Sequence, residues 1–267
     1  MVKVVPSWLR VASTLLVALT VLFLLAPLVV VIGVSFSESE FIAFPPKGFS
    51  LRWYEGVLTS NTYLASALTS LQIAVLVTIT TTLVGGAAAV ALHRGKLPFS
   101  RTLATVFLSP LVLPTIIFAI GMLMFWSRAF GPVSILTLWL SHTVVALPYV
   151  IRTTLAVLAE SDPFLEEAAR TMGAGRLQRL WFVVVPQCVP GLGAGAFFAF
   201  NISFDEAVLS LFLRKPDLTT LPVQIYGQLE FSPDPSVAAV STIMIFLTVL
   251  MMVVIDRVLG LQRFARS

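Results

Sequence analysis

Polar and apolar positions along this chain separate into long blocks, with neither the period of a half-buried strand nor that of a surface helix. Charge-free stretches cover residues 11–37, 56–92, 102–127, 129–151, 180–204 and 235–255, with short charged segments between them. A helix needs about 20 mostly apolar residues to cross the hydrocarbon core of a bilayer. Each stretch meets that length, and the most apolar part of the second is 68–92. The pattern predicts an all-α, polytopic membrane protein with six transmembrane helices. It predicts a single transmembrane domain over 1–267, with helices near 11–34, 68–92, 103–126, 130–151, 180–204 and 236–255. Lys3 and Arg10 before the first stretch resemble a signal-peptide head. The apolar run is too long for one and no convincing small-residue cleavage site follows, so it reads as an uncleaved first helix.

Two connecting segments have patterns of their own. In the loop 38–62, Ser50 is a plausible cap for a short helix whose Leu51, Tyr54 and Leu58 share one face on the membrane surface. Trp53 and Tyr54 suit the aromatic belt of a bilayer interface. Trp53 also suits the mouth of a translocation path. In the loop 152–179, Asp162 is a good N-cap, Pro163 fits the first helical position, and Glu166 and Glu167 lie near the positive end of the helix dipole. Gly173 offers a left-handed stop. In the fifth stretch, Pro186 and Pro190 should kink the helix or delay its start. Gly191, Gly195 and Ala199 form a stripe of small residues that lets another helix approach closely.

Composition sharpens the class. Hydrophobic residues make up 58% and charged residues 11%, with a mean hydropathy of +0.97. That excludes both an ordinary soluble domain and a disordered chain. The basic pI, near 9.6, reflects where Lys and Arg sit about a membrane, not a nucleic-acid partner. With the N-terminus inside, 12 of the 17 basic residues fall on the inner side. This predicts cytoplasmic termini and a cytoplasmic 152–179 loop, with 38–62 and 205–234 outside. Eight of the 13 acidic residues fall outside, so the outer face is net acidic.

Enzyme chemistry finds no support. There is no HExxH, no GxSxG and no paired-cysteine metal site, and Gly95-Lys96-Leu97 lacks the rest of a phosphate-binding loop. No catalytic residue and no metal ligand is assigned. The single cysteine, Cys188, has no assigned role. His142, within the fourth span, is either a functional group of the membrane interior or a hydrogen-bonding residue between helices.

Glu167-Ala168-Ala169, three residues, Gly173, nine residues and Val183-Val184-Val185-Pro186 resemble the EAA loop of ABC importer permeases, EAA-x3-G-x9-I-x-L-P. Val183 and Val185 stand where the family has Ile and Leu. The resemblance implies the ABC type I importer permease fold. It implies that Glu167, Ala168, Ala169 and Gly173 form the coupling helix that docks on an ATPase subunit. Phe49 to Tyr54, Ser109 to Pro114, His142 to Tyr149 and Thr220 to Tyr226 are similar to the second permease of spermidine/putrescine-type importers, as is Ser203-Phe204-Asp205-Glu206. By that resemblance Ser203, Asp205 and Glu206 belong to the substrate path. Independently of it, Trp53 offers a cation–π surface for such a cargo. Some polyamine permeases carry an acid after the Ser-Pro of span three, where this chain has Leu111.

The resemblance implies a bacterial inner-membrane subunit that is not itself an enzyme. Its partners would be a second, different permease, two ATP-binding subunits that hold ATP and Mg, a periplasmic solute-binding protein and the lipid bilayer. The cargo implied is a small cationic amine. Aminoethylphosphonate or an opine- or amino-acid-like compound is the alternative cargo, and an ion-coupled secondary carrier is the remote alternative.

Overall fold

The computed structural model describes residues 7–94, 99–162 and 164–259. Twelve α-helices account for most of them: α1 Ser7–Ser35, α2 Arg52–Thr59, α3 Asn61–His93, α4 Ser100–Leu108, α5 Thr115–Ala129, α6 Ile135–Ala159, α7 Phe164–Thr171, α8 Arg176–Arg179, α9 Val185–Phe204, α10 Val208–Phe212, α11 Leu221–Phe231 and α12 Ser236–Leu259. Among the described residues five helical segments are long and apolar enough to cross a membrane: Trp8–Ser35, Asn61–His93, Ile135–Ala159, Arg176–Phe204 and Ser236–Arg257. Pro163, expected at the first turn of the loop helix, lies outside the described residues.

The continuous third helix expected over 103–126 is replaced by two pieces. Ser100–Leu111 and Thr115–Ala129 meet at 102°. The cause is written in the prolines. Pro110 sits in a single 3₁₀ turn, Ser109–Leu111, and Pro114 is extended (φ −58°, ψ 125°). Neither has an N–H to continue the helix, and the residue before a proline is pushed out of the α region. Hydropathy, which does not weigh backbone donors, runs straight through this break.

The chain divides into two compact units: Met1–Asn61 with Gly227–Phe246, and Thr62–Tyr226 with Leu247–Ser267. In the first, the most apolar 18-residue window of α1 is entirely unburied within the chain. Its C-terminal end is fastened instead. Ser35 Oγ and Tyr54 Oη lie 2.7 Å apart, the Trp53 indole N–H donates to the Ser37 carbonyl at 2.9 Å, and Phe36 stacks on Phe49 with ring centroids 5.3 Å apart. The N-cap of helix α2 is Leu51, one residue after the expected Ser50, although the Ser50 hydroxyl does accept the Arg52 N–H at 3.2 Å. Its two sides differ in burial. Val57 is buried and Trp53 and Tyr54 are half-buried, whereas Leu51 and Leu58 are exposed.

The second unit is organised on α6 and α9. Their backbones come very close. A Cβ on Gly191 would stand 2.8 Å from the Thr153 carbonyl oxygen and from Thr154 Cα. A Cβ on Gly195 would stand 2.7 Å from Thr153 Oγ1 and 2.8 Å from Val150 Cα. Ala199 continues the stripe and is fully buried. The small-residue stripe is thus occupied by this chain's own α6. Around the pair, Ile73 and Val77 of α3, Trp126 of α5, Leu138 and Val150 of α6, and Leu209 of α10 form one apolar core. The entry to α9 is a π-helical turn, Leu180–Val184, followed by Pro186 at the helix start and Pro190 inside it. The prolines lack N–H groups for the ladder, and the wider turn ahead of them absorbs the misfit.

Candidate functional site

The loop between α6 and α9 is built around α7. Asp162 Oδ1 accepts the Phe164 N–H at 2.9 Å, so the predicted cap is in place. At the other end Gly173 has φ +88°. The Ala174 N–H donates to the Ala169 carbonyl (3.0 Å) and the Gly173 N–H to the Arg170 carbonyl (3.1 Å). This pair of bonds is the Schellman closure, which satisfies the last carbonyls of a helix through a left-handed residue. Glu167, Ala168 and Gly173 are exposed and Ala169 is buried. Phe164 and Met172 are also exposed, two turns apart on the Ala168 side, so α7 presents an uncovered apolar strip beside its motif glutamate.

The motif points to Glu167, yet the acid with partners is its neighbour. Glu166 Oε1 takes Arg94 Nη2 at 3.2 Å and Arg179 Nε at 3.4 Å. Residue order does not show which of two adjacent glutamates faces the membrane helices. The helical turn decides it.

The elbow after α9 holds the second group. Ser203 is buried, and its hydroxyl lies 3.1 Å from His142 Nδ1; the Ser210 hydroxyl lies 3.1 Å from His142 Nε2. His142 is 1% exposed and joins α6 to both sides of the elbow. Asp205 closes α9 and is exposed. Glu206 is half-buried, and its Oε1 accepts the Leu209 N–H at 2.9 Å, capping α10. Loss of solvent pushes the Asp205 carboxyl above the ordinary carboxylate range. It raises Glu206 as well, helped by the Asp205 charge and opposed by the N–H groups of Leu209 and Val208. Two adjacent acids with raised affinity for protons are suited to attract a cation and poorly suited to an anion.

Trp53 belongs to the other unit and already has a cation: the Arg52 guanidinium carbon lies 4.5 Å from its ring centroid. One face of the indole is therefore engaged within the chain. Among the described residues no three His, Cys, Asp or Glu side chains converge as a metal site would require.

The chain is similar to known proteins. Residues 81–263 match the family described as "Binding-protein-dependent transport system inner membrane component". The spermidine/putrescine transport system permease protein PotC of Escherichia coli (strain K12) is 31% identical over 235 residues, 86% of this chain and 87% of its own. The putrescine transport system permease protein PotI of the same strain is 30% identical over 230 residues, covering 84% and 82%. In a crystal structure of a bacterial ABC transporter involved in import of the acidic polysaccharide alginate, one chain superposes with a TM-score of 0.69. It is 17% identical, with 93% of this chain and 95% of that one covered. The all-α fold is that of ABC importer permeases, and the chain belongs to the family of binding-protein-dependent transport system inner membrane components.

Proposed function

We propose that this permease passes a small cationic amine of the spermidine/putrescine kind from a periplasmic binding protein into the cytoplasm. The observation that carries the reading is the 31% identity with PotC over 86% of the chain. The paired acids Asp205 and Glu206 support it, since an approaching polycation gains from both. Ser203, fixed by His142, belongs to the path in this reading, and Trp53, beside Arg52, is a separate aromatic surface for the cation.

The chain works with a second, different permease and two ATP-binding subunits, and ATP and Mg reside in those subunits. Glu167, Ala168, Ala169 and Gly173 dock on the ATPase. Both termini and residues 152–179 are cytoplasmic, in keeping with the Lys and Arg bias. ATP binding draws the ATPase subunits together, α7 moves with them, and the path opens toward the binding protein.

The test is binding-protein-dependent uptake by the reconstituted transporter across polyamines, aminophosphonates and amino acids. Saturable uptake of spermidine or putrescine is expected. Uptake confined to an aminophosphonate or an amino acid would replace the cargo and leave the permease assignment intact.

A further inference from the structure

We infer that Glu166, held between Arg94 and Arg179, is the positioning residue through which movement of α7 reaches the membrane helices. The inference rests on the reading that the Glu167–Gly173 motif docks on the ATPase. It assigns a separate task to the glutamate beside it.

The geometry is that of a clasp. Arg94 follows the last turn of α3, and its Nη2 reaches Glu166 Oε1 at 3.2 Å. Arg179 ends α8, which runs through the π-helical turn into α9. Its Nε reaches the same oxygen at 3.4 Å, and its Nη1 donates to the Ala174 carbonyl at 3.1 Å. One guanidinium therefore grips α7 near its start and just past its end. The planar fork of arginine permits two such bonds in fixed directions, which a lysine ammonium does not.

Beyond the clasp, α7 comes close to α8 and to the π-helical turn. Ala169 is its one buried residue among those described. Beside it opens a cleft of about 910 Å³, lined by Val90, Leu158 and Gln187 together with Arg94, Glu167 and Arg179. Apolar packing does not span an open cleft of that size. The charged contacts bridge the gap instead. Glu166 and Arg94 are each over one-third exposed, and ion pairs that open to water add little to stability. Their effect is positional, so removing them should leave the fold standing.

The experiment uses the assembled transporter, with ATPase co-purification, basal ATP hydrolysis, hydrolysis stimulated by the loaded binding protein, and uptake measured on one preparation. Glu166→Gln keeps shape and removes charge. Co-purification and basal hydrolysis are expected to stay at parental levels. Stimulated hydrolysis and uptake are expected to fall roughly fivefold or more, about 1 kcal/mol at 1.4 kcal/mol per decade. Glu166→Asp should recover part of the stimulation, and Arg179→Lys should reproduce the defect although charge is kept. Parental stimulation in Glu166→Gln overturns the inference. So does loss of co-purification in that variant, because Glu166 would then be a docking residue. Failure of the parental chain itself to co-purify with an ATPase overturns the docking reading and the inference with it.

Discussion

Asp205 and Glu206 are neighbours in sequence with different duties. The Glu206 carboxylate caps α10 as well as carrying charge, whereas Asp205 stands exposed at the end of α9. An amide at 206 still accepts the Leu209 N–H, so Asp205→Asn with Glu206→Gln removes charge without uncapping the helix. A hydrogen bond to a charged group contributes roughly 1.5–3 kcal/mol. Losing two such contacts with a cationic cargo should lower uptake efficiency tenfold or more, at about 1.4 kcal/mol per decade. Parental uptake in the double variant would reduce the pair to a solvated rim. Acidity adds a second signature. Both carboxyls are raised, so the folded chain holds their protons to higher pH than the unfolded chain does. Their contribution to stability is full below the unfolded carboxylate range and is lost as pH rises through the raised values. Cation attraction has the opposite sign: it exists above the raised values and is lost as pH falls through them. The uptake KM of the parental chain should therefore rise on mild acidification of the outer side, and the double variant should show no such rise. These acids were legible from sequence because acids at the end of an apolar span are conspicuous. The partnership of His142 with Ser203 and Ser210 was not, since those residues lie 61 and 68 positions from it.

At the scale of elements, α7 and the α6–α9 pair make separate demands on glycine. Gly173 needs its left-handed φ of +88°, and no atom lies within 4 Å of an added Cβ. A side chain there meets backbone strain, about 1–2 kcal/mol, and no clash. Gly173→Asp, which adds charge, and Glu167→Arg, which reverses it, should both leave the chain inserted and detach the ATPase. Co-purification from solubilised membranes reads this directly, and full recovery of ATPase with both variants would remove these residues from the docking surface. Gly195 makes the opposite demand. Its backbone angles are ordinary, but the Val150 backbone is 2.8 Å from where a Cβ would stand. Gly195→Val should thus drive α6 and α9 apart. Overpacking of this kind costs typically 1–3 kcal/mol, visible as a lower unfolding temperature in detergent. An unchanged midpoint would mean the two helices can separate freely. Both glycines were readable in advance, one from its place after a capped helix and the other from its four-residue spacing. What escaped was the break at Pro114, because a window that averages hydropathy cannot see a missing N–H.

For the whole molecule, orientation is the property most open to a direct test. Cys188 is the one cysteine in the sequence and is buried. Single cysteines introduced elsewhere therefore report against a quiet background. In sealed cells, an impermeant thiol reagent should label Ser39→Cys and Asp217→Cys and spare Ala174→Cys. Labelling at 174 would invert the topology. The six-block pattern, the loop motif and the family were legible because lipid imposes long apolar runs and the family's loop motif has a fixed spacing. The division into two compact units was not, because hydropathy records which segments leave water and is silent on which segments then pack together.

The bent pair also has a bearing on how the chain is made. In hydrocarbon an unpaired backbone group costs several kcal/mol, so an isolated break in a helix is not tolerated there. At 1.5 Å per residue, the 15 residues of α5 reach only about 22 Å, short of the roughly 30 Å core. Helix α1, with an apolar window that needs no partner from its own chain, can leave the insertion machinery as soon as it is synthesised. Residues 100–129 must wait. The 3₁₀ turn packs on α6 and α5 packs on α10, and neither exists when the break emerges from the ribosome. Assembly is therefore order-dependent, with a segment held in reserve until its cover arrives. Damage to the α6 side of that cover should show as fewer permeases delivered to the membrane, each of them working at its normal rate.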